Sequence, residues 1–137
     1  MDLPLEGGCL CGAVRYRVTA EPVGSAYCHC RMCQRRSGAP AVATVEVPAG
    51  GLAFVQGEPV AYRSSPSAER LFCRDCGTEL YFTLLDDPPS LSLNLGTLDD
   101  PEAVRPTKHI WTSSQLSWFD VADGLPRHAE HAPEAKA

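Results

Sequence analysis

Seven cysteines in a 137-residue chain constrain it more than any other feature, and they fall into three tight groups. The groups are Cys9-Leu10-Cys11-Gly12, Cys28-His29-Cys30-Arg31-Met32-Cys33 and Cys73-Arg74-Asp75-Cys76-Gly77. A C-x-x-C pair lets a turn aim two sulfurs at one ion, at about 2.3 Å each for zinc, and a glycine just after it frees the backbone. In extended chain, residues i and i+2 share a face, so Cys9 and Cys11 present their sulfurs together. Cys28 and Cys30 do likewise, with Cys33 added by a C-x-x-C turn.

Counting then partitions the ligands, because structural zinc normally takes four protein ligands and catalytic zinc commonly three plus water. Joining the two pairs makes a closed site of Cys9, Cys11, Cys73 and Cys76 and leaves Cys28, Cys30 and Cys33 as an open one. Joining the triplet to either pair would give five ligands and strand the other pair. Two zinc ions per chain are therefore expected. The alternatives are a single closed site with three spare cysteines, an iron–sulfur cluster, or a disulfide scaffold. The last requires an oxidising compartment. Met1 to Glu6 has neither a basic start nor an apolar run of signal length, which points to a reducing, cytoplasmic setting.

No segment approaches the roughly 20 consecutive apolar residues of a membrane span, and 44% hydrophobic with 21% charged residues is a globular composition. A formal charge of −5 argues against nucleic acid as a partner, since such surfaces are usually basic. Alternation marks strands: Val14, Tyr16 and Val18 interleave with Arg15 and Arg17, and Leu91, Leu93 and Leu95 with Ser92 and Asn94. Similar runs cover 41–47, 52–56, 60–64 and 79–85, so the expected fold is mostly β with little helix. Single helical turns are expected near Asp100 to Val104 and Ser113 to Phe119. One domain is expected over 1–127, with 128–137, polar and rich in Ala, Pro and Glu, as a flexible tail. Homo-oligomerisation is left open.

The three cysteine groups in this order, with Gly8 before the first, Phe72 before the third and Thr78 after it, resemble the glutathione-dependent formaldehyde-activating enzyme (GFA) family, also called the centromere-protein-V family. His109-Ile110-Trp111, then Trp118 and Asp123-Gly124-Leu125-Pro126, resemble its C-terminal signature. The resemblance implies stacked antiparallel sheets, the β-tent arrangement, with structural zinc on Cys9, Cys11, Cys73 and Cys76. It implies a second zinc on Cys28, Cys30 and Cys33. It also implies a carbon–sulfur lyase-like activity, condensing glutathione or a related thiol with formaldehyde or another small aldehyde.

Around the open site, Arg31, Arg35 and Arg36 are candidates to meet the carboxylates of glutathione, because guanidinium pairs bidentately with carboxylate. His109 is a candidate for shaping the substrate pocket. His29 should point away from the ion faced by Cys28 and Cys30. Trp118 and Phe119 read as core, and Asp75 as support for its turn. The alternative function is a non-catalytic zinc module that binds a small thiol or a protein partner.

Overall fold

The computed structural model describes residues 1–133. Ten strands run through it: β1 Leu5–Gly8, β2 Arg15–Val18, β3 Gly24–Cys28, β4 Val42–Pro48, β5 Leu52–Gln56, β6 Val60–Ser65, β7 Ala68–Phe72, β8 Glu79–Leu84, β9 Ser90–Asn94 and β10 His109–Ile110. A single α-helix, α1 at Arg31–Ser37, and two 3-10 turns, Leu95–Thr97 and Thr112–Ser114, are the helical content of the described residues. No helix among them is long and apolar enough to cross a membrane.

The strands form a three-stranded sheet, β1-β2-β5, and a seven-stranded sheet, β10-β3-β4-β9-β8-β7-β6. Every pairing is antiparallel except β10 with β3. The alternation read in β2 does what period two requires: Tyr16 and Val18 are buried, while Arg17 reaches across to Glu6 at 2.9 Å and Arg15 to Asp99. The buried side of the small sheet packs on Val45 and Val47 of β4, Leu93 of β9 and Leu80 of β8, and Cys9 and Cys73 belong to the same cluster.

On the large sheet, β4 and β9 pair Val45 with Leu93 and Val47 with Leu91 on the core side, and Thr44 with Asn94 on the other. In β8 the parity breaks. Leu71 pairs with Tyr81 and Phe72 with Glu79, so Leu80 has no partner opposite it and the strand bulges. Leu80 turns into the core, fully buried, while Glu79 and Phe82 both line the opposite face. A regular strand would have put Glu79 on the face opposite to Leu80 and Phe82.

Two expectations from the sequence, at Trp118 and at Asp100 to Val104, meet a different arrangement. Trp118, read as core, is 73% exposed. Asp100 to Ala103 forms a turn, with Ala103 N bonded to Asp100 O, and no helix. The stretch from His128 runs hydrogen-bonded beside Trp111 to Ser113: Trp111 N donates to Glu130 O, Thr112 N to His128 O and Ser113 N to Ala129 O. His131 sets its ring edge-on to Trp111, at 5.2 Å between centroids. The last part of the expected tail, residues 134 to 137, lies outside the described residues.

Candidate functional site

The first cysteine cluster joins two turns that are 62 residues apart. Cys9 and Cys11 follow β1, and Gly12 takes the left-handed φ of 82° that closes the turn, its N–H donating to Cys9 O. Cys73 and Cys76 follow β7, where Gly77 at φ 78° plays the same part and donates to Cys73 O at 2.9 Å. The two turns are tied by Leu10 N to Thr78 Oγ1 at 3.0 Å. Backbone N–H of Val14 points at Cys9 Sγ, 3.3 Å away, as expected for a sulfur that carries negative charge.

The second cluster straddles the end of β3 and the start of α1. Cys28 ends the strand. Cys30 is the helix N-cap, its Sγ accepting from Cys33 N at 3.2 Å, and Cys33 lies in the first turn with its sulfur 3.5 Å from Cys28. Hydrogen bonds from Cys28 and then Cys33 push the Cys30 thiol down to about 2, while its hydrogen bond with Cys30 pushes Cys28 up.

Both clusters fit a tetrahedral ion. All sulfurs within each lie within 4.8 Å of one another, and Cys9–Cys11 and Cys11–Cys73 measure 3.6 and 3.8 Å. Ligands at about 2.3 Å from a central zinc sit about 3.8 Å apart at tetrahedral angles. Every cysteine is a free thiol. The four-sulfur cluster closes a shell; the three-sulfur cluster leaves one position.

A cavity of about 420 Å³ opens over Cys28, Cys30 and Cys33 on the face of the large sheet that looks away from the core. None of Cys9, Cys11, Cys73 or Cys76 lines it. Its lining includes Thr44, Phe82, Ser92 and Asn94, whose chain neighbours Val45, Tyr81, Leu91 and Leu93 pack into the core, and the half-exposed Leu84. At its edge Arg70 of β7 pairs with Glu79 at 3.0 Å, both side chains about nine-tenths buried. The Arg70 guanidinium lies 4.9 Å from the Phe82 ring centroid and 3.9 Å from Cys33 Sγ. Glu79 Oε2 is buried with no hydrogen-bond partner among the described residues. Neither Arg70 nor Glu79 stood out in the sequence; the one available signal was a charged pair within two strongly apolar strands.

The other candidates are dispersed. Arg31 lines the cavity. Arg35 and Arg36 do not, and Arg36 lies over the Phe72 ring, 4.6 Å from its centroid. His109 is fully buried behind the triplet and is not part of the cavity wall. It stacks on Tyr27 and joins a chain: His29 Nε2 to His109 Nδ1 at 2.8 Å, and His109 Nε2 to Asp123 Oδ2 at 2.7 Å.

The chain assigns its own protons. Facing a carboxylate, His109 carries its proton on Nε2, which leaves Nδ1 as acceptor, so His29 donates from Nε2 and keeps a bare Nδ1. That Nδ1 is buried and unpartnered, and burial, then His109, lowers the His29 pKa and keeps the ring neutral. Backbone bonds fix the same segment, with His29 N on Ile110 O and Gln34 Nε2 bridging His29 O and Ser114 O.

Burial opposes ionisation of Asp123, but hydrogen bonds from Leu125 N–H and His109 hold its carboxyl down at about 2. A value depressed on folding means stability that is present above about pH 4 and lost as the pH falls through 2. Asp123→Asn should accordingly be less stable than the parent near neutrality and converge on it towards pH 2. Urea denaturation across that range measures the difference; a gap independent of pH would contradict the assignment.

Fold and site together define a mostly β protein of two stacked sheets that carries one closed and one open cysteine cluster, each spaced for a metal ion. The chain belongs to the glutathione-dependent formaldehyde-activating enzyme family, whose model matches residues 4–114. An uncharacterized lyase of Schizosaccharomyces pombe is 37% identical over 121 residues, covering 86% of this chain and 85% of that protein. A putative glutathione-dependent formaldehyde-activating enzyme of Halomonas elongata is 28% identical over 130 residues, covering 85% and 80%. A crystal structure of a Rhodobacter sphaeroides protein superposes with a TM-score of 0.58 at 26% identity, over 74% of this chain and 91% of that one.

Proposed function

We propose that the chain is a zinc-dependent carbon–sulfur lyase-type enzyme that joins glutathione or a related thiol to formaldehyde or another small aldehyde. The observation that carries the reading is the placement of a cavity over the three-sulfur cluster and away from the four-sulfur one. Family membership and the names of the two relatives support the same chemistry.

Cys28, Cys30 and Cys33 would hold one zinc ion and Cys9, Cys11, Cys73 and Cys76 another. When bound at the triplet, zinc supplies Lewis acidity that lowers the pKa of a thiol or polarises a carbonyl. In the addition, the thiol S–H bond breaks, sulfur bonds to the carbonyl carbon, and the oxygen takes up a proton as the C=O π bond opens. Glu79 lines the cavity and Arg70 holds it through Oε1; a shift of the Glu79 side chain would bring Oε2, which has no partner, to the cavity to accept the thiol proton. The cavity walls bring sulfur and carbonyl together and exclude water, which lowers the entropic barrier.

Elemental analysis should find about two zinc ions per chain, with one lost in Cys30→Ser while the fold persists. One zinc in the parent protein with no uptake of a second would remove the open site. The rate of hydroxymethyl-thiol formation should exceed the spontaneous rate. No excess across several thiols and aldehydes would leave a non-catalytic zinc module.

A further inference from the structure

His29 alone separates Cys28, the last residue of β3, from Cys30, the N-cap of α1, so its conformation decides how the strand sulfur and the helix sulfur face one another. Its backbone is held from two sides, by Ile110 O at 3.0 Å and by Gln34 Nε2 at 2.9 Å. Its fully buried side chain is held by His109 Nδ1 at 2.8 Å, and His109 in turn by Asp123 at 2.7 Å. The rings stack in the order Tyr27, His109, His29, with centroids 4.8 and 5.0 Å apart. The far end is anchored as well: Asp123 Oδ1 accepts from Leu125 N at 3.0 Å and Arg127 Nη1 at 3.3 Å. The same segment grips the His109 backbone, whose N–H donates to Pro126 O and whose carbonyl accepts from His128 N.

Burying two imidazoles costs free energy that apolar rings of the same size would not, and each needs a partner for its polar atoms. What an apolar ring cannot supply is direction. Hydrogen bonds at both ring nitrogens fix the rotation of His109, and His109 fixes that of His29. The closed cluster has no use for such a device, because its four sulfurs come from two glycine-closed turns tied together by Leu10 and Thr78. The open cluster draws three sulfurs from the single stretch Cys28 to Cys33 and has no fourth to complete the set. We propose that His109 and Asp123 are positioning residues of the open cluster: through His29 they hold Cys28 and Cys30 as an ion requires, and so set the metal affinity of that site alone. Asp123 lies beyond residues 4–114, so a segment outside the family match governs a site inside it. The inference rests on the reading that the three sulfurs hold zinc.

The test equilibrates zinc-loaded protein with a graded series of a competing chelator and measures zinc per chain. The emptied open site is then refilled with cobalt, whose absorption reports the arrangement of its sulfur ligands. His109→Phe keeps a stacking ring and breaks both hydrogen bonds; Asp123→Ala removes the anchor; Asp123→Asn keeps an acceptor for His109. The first two should weaken zinc at the open site about 10–100-fold, the usual cost of lost outer-shell partners, and alter the cobalt spectrum while the closed-site zinc stays. Asp123→Asn should restore most of the affinity. Val47→Ala, a deletion in the core outside the chain, should lower thermal stability and leave open-site affinity as in the parent. If His109→Phe folds poorly, Asp123→Ala against Asp123→Asn decides the matter. Parental affinity and spectrum in Asp123→Ala, or an equal weakening in Val47→Ala, would overturn the inference and leave the zinc reading standing. A parent protein that holds one zinc and takes up no second removes the zinc reading, and the positioning role with it.

Discussion

Cys73→Ser is expected to abolish cooperative folding. Cys73 is 1% exposed, lies in the same cluster as Tyr16, Val45 and Leu93, and sits at the join between the two turns that carry the four-sulfur site. Structural zinc in small domains contributes about 10–16 kcal/mol on binding, comparable to or larger than a domain's whole net stability of about 5–15 kcal/mol. The small sheet packs on the large one beside this site, so its loss frees the N-terminal turn from the rest of the chain. Far-ultraviolet circular dichroism and a thermal scan check the result, and, on the zinc reading, a strong chelator should reproduce it. Cys30→Ser, which touches only the open cluster, should keep a cooperative transition. A Cys73→Ser protein that melts like the parent would show that the four-sulfur site does not hold the fold.

The second large effect is at the buried pair. Glu79→Leu should cost about 3–5 kcal/mol, because it leaves the buried Arg70 guanidinium with no carboxylate and only the Phe82 ring and Cys33 sulfur, at 3.9 Å, to offset its charge. Replacing both partners, Arg70→Met with Glu79→Leu, should recover most of that loss, since apolar side chains of similar volume remove the buried charges together. Urea denaturation of the parent, the two single variants and the double variant closes the cycle. Additive losses would mean that the two side chains act independently, despite their 3.0 Å separation.

The partition of the cysteines was legible because ligand spacing is a local property. A C-x-x-C turn or a C-x-C strand brings sulfurs together whatever surrounds it, and the geometry places the residues as two groups of four and three. Several strands were legible for a similar reason, Tyr16 and Val18 or Leu91 and Leu93 repeating every second residue. Helix α1 was not. Arg-Met-Cys-Gln-Arg-Arg-Ser has no apolar stripe, and its seven residues are held by the Cys30 cap, by Gly38 at φ 75° and by burial of Cys33 and Gln34. Strand β7 was obscured by Arg70, a charged residue that faces inward because Glu79 is there to meet it. Trp118 looked like core from its size alone, and its exposure reflects position in an irregular segment with no sheet face to cover.

The sequence by itself determined which sulfurs can share an ion and where alternation makes a strand, since both depend on neighbours a few residues away. The tertiary structure alone decided what lies over the open cluster. The unpaired Leu80 shifts the parity of β8 so that Glu79 meets Arg70 at the cavity edge, and antiparallel registry brings Thr44, Asn94 and Phe82 onto the same face. It also turned His109 away from the cavity and into a chain with His29 and Asp123, 80 and 14 residues distant. Contacts at such separations depend on strand pairing and on the bulge within it, and no local spacing encodes either.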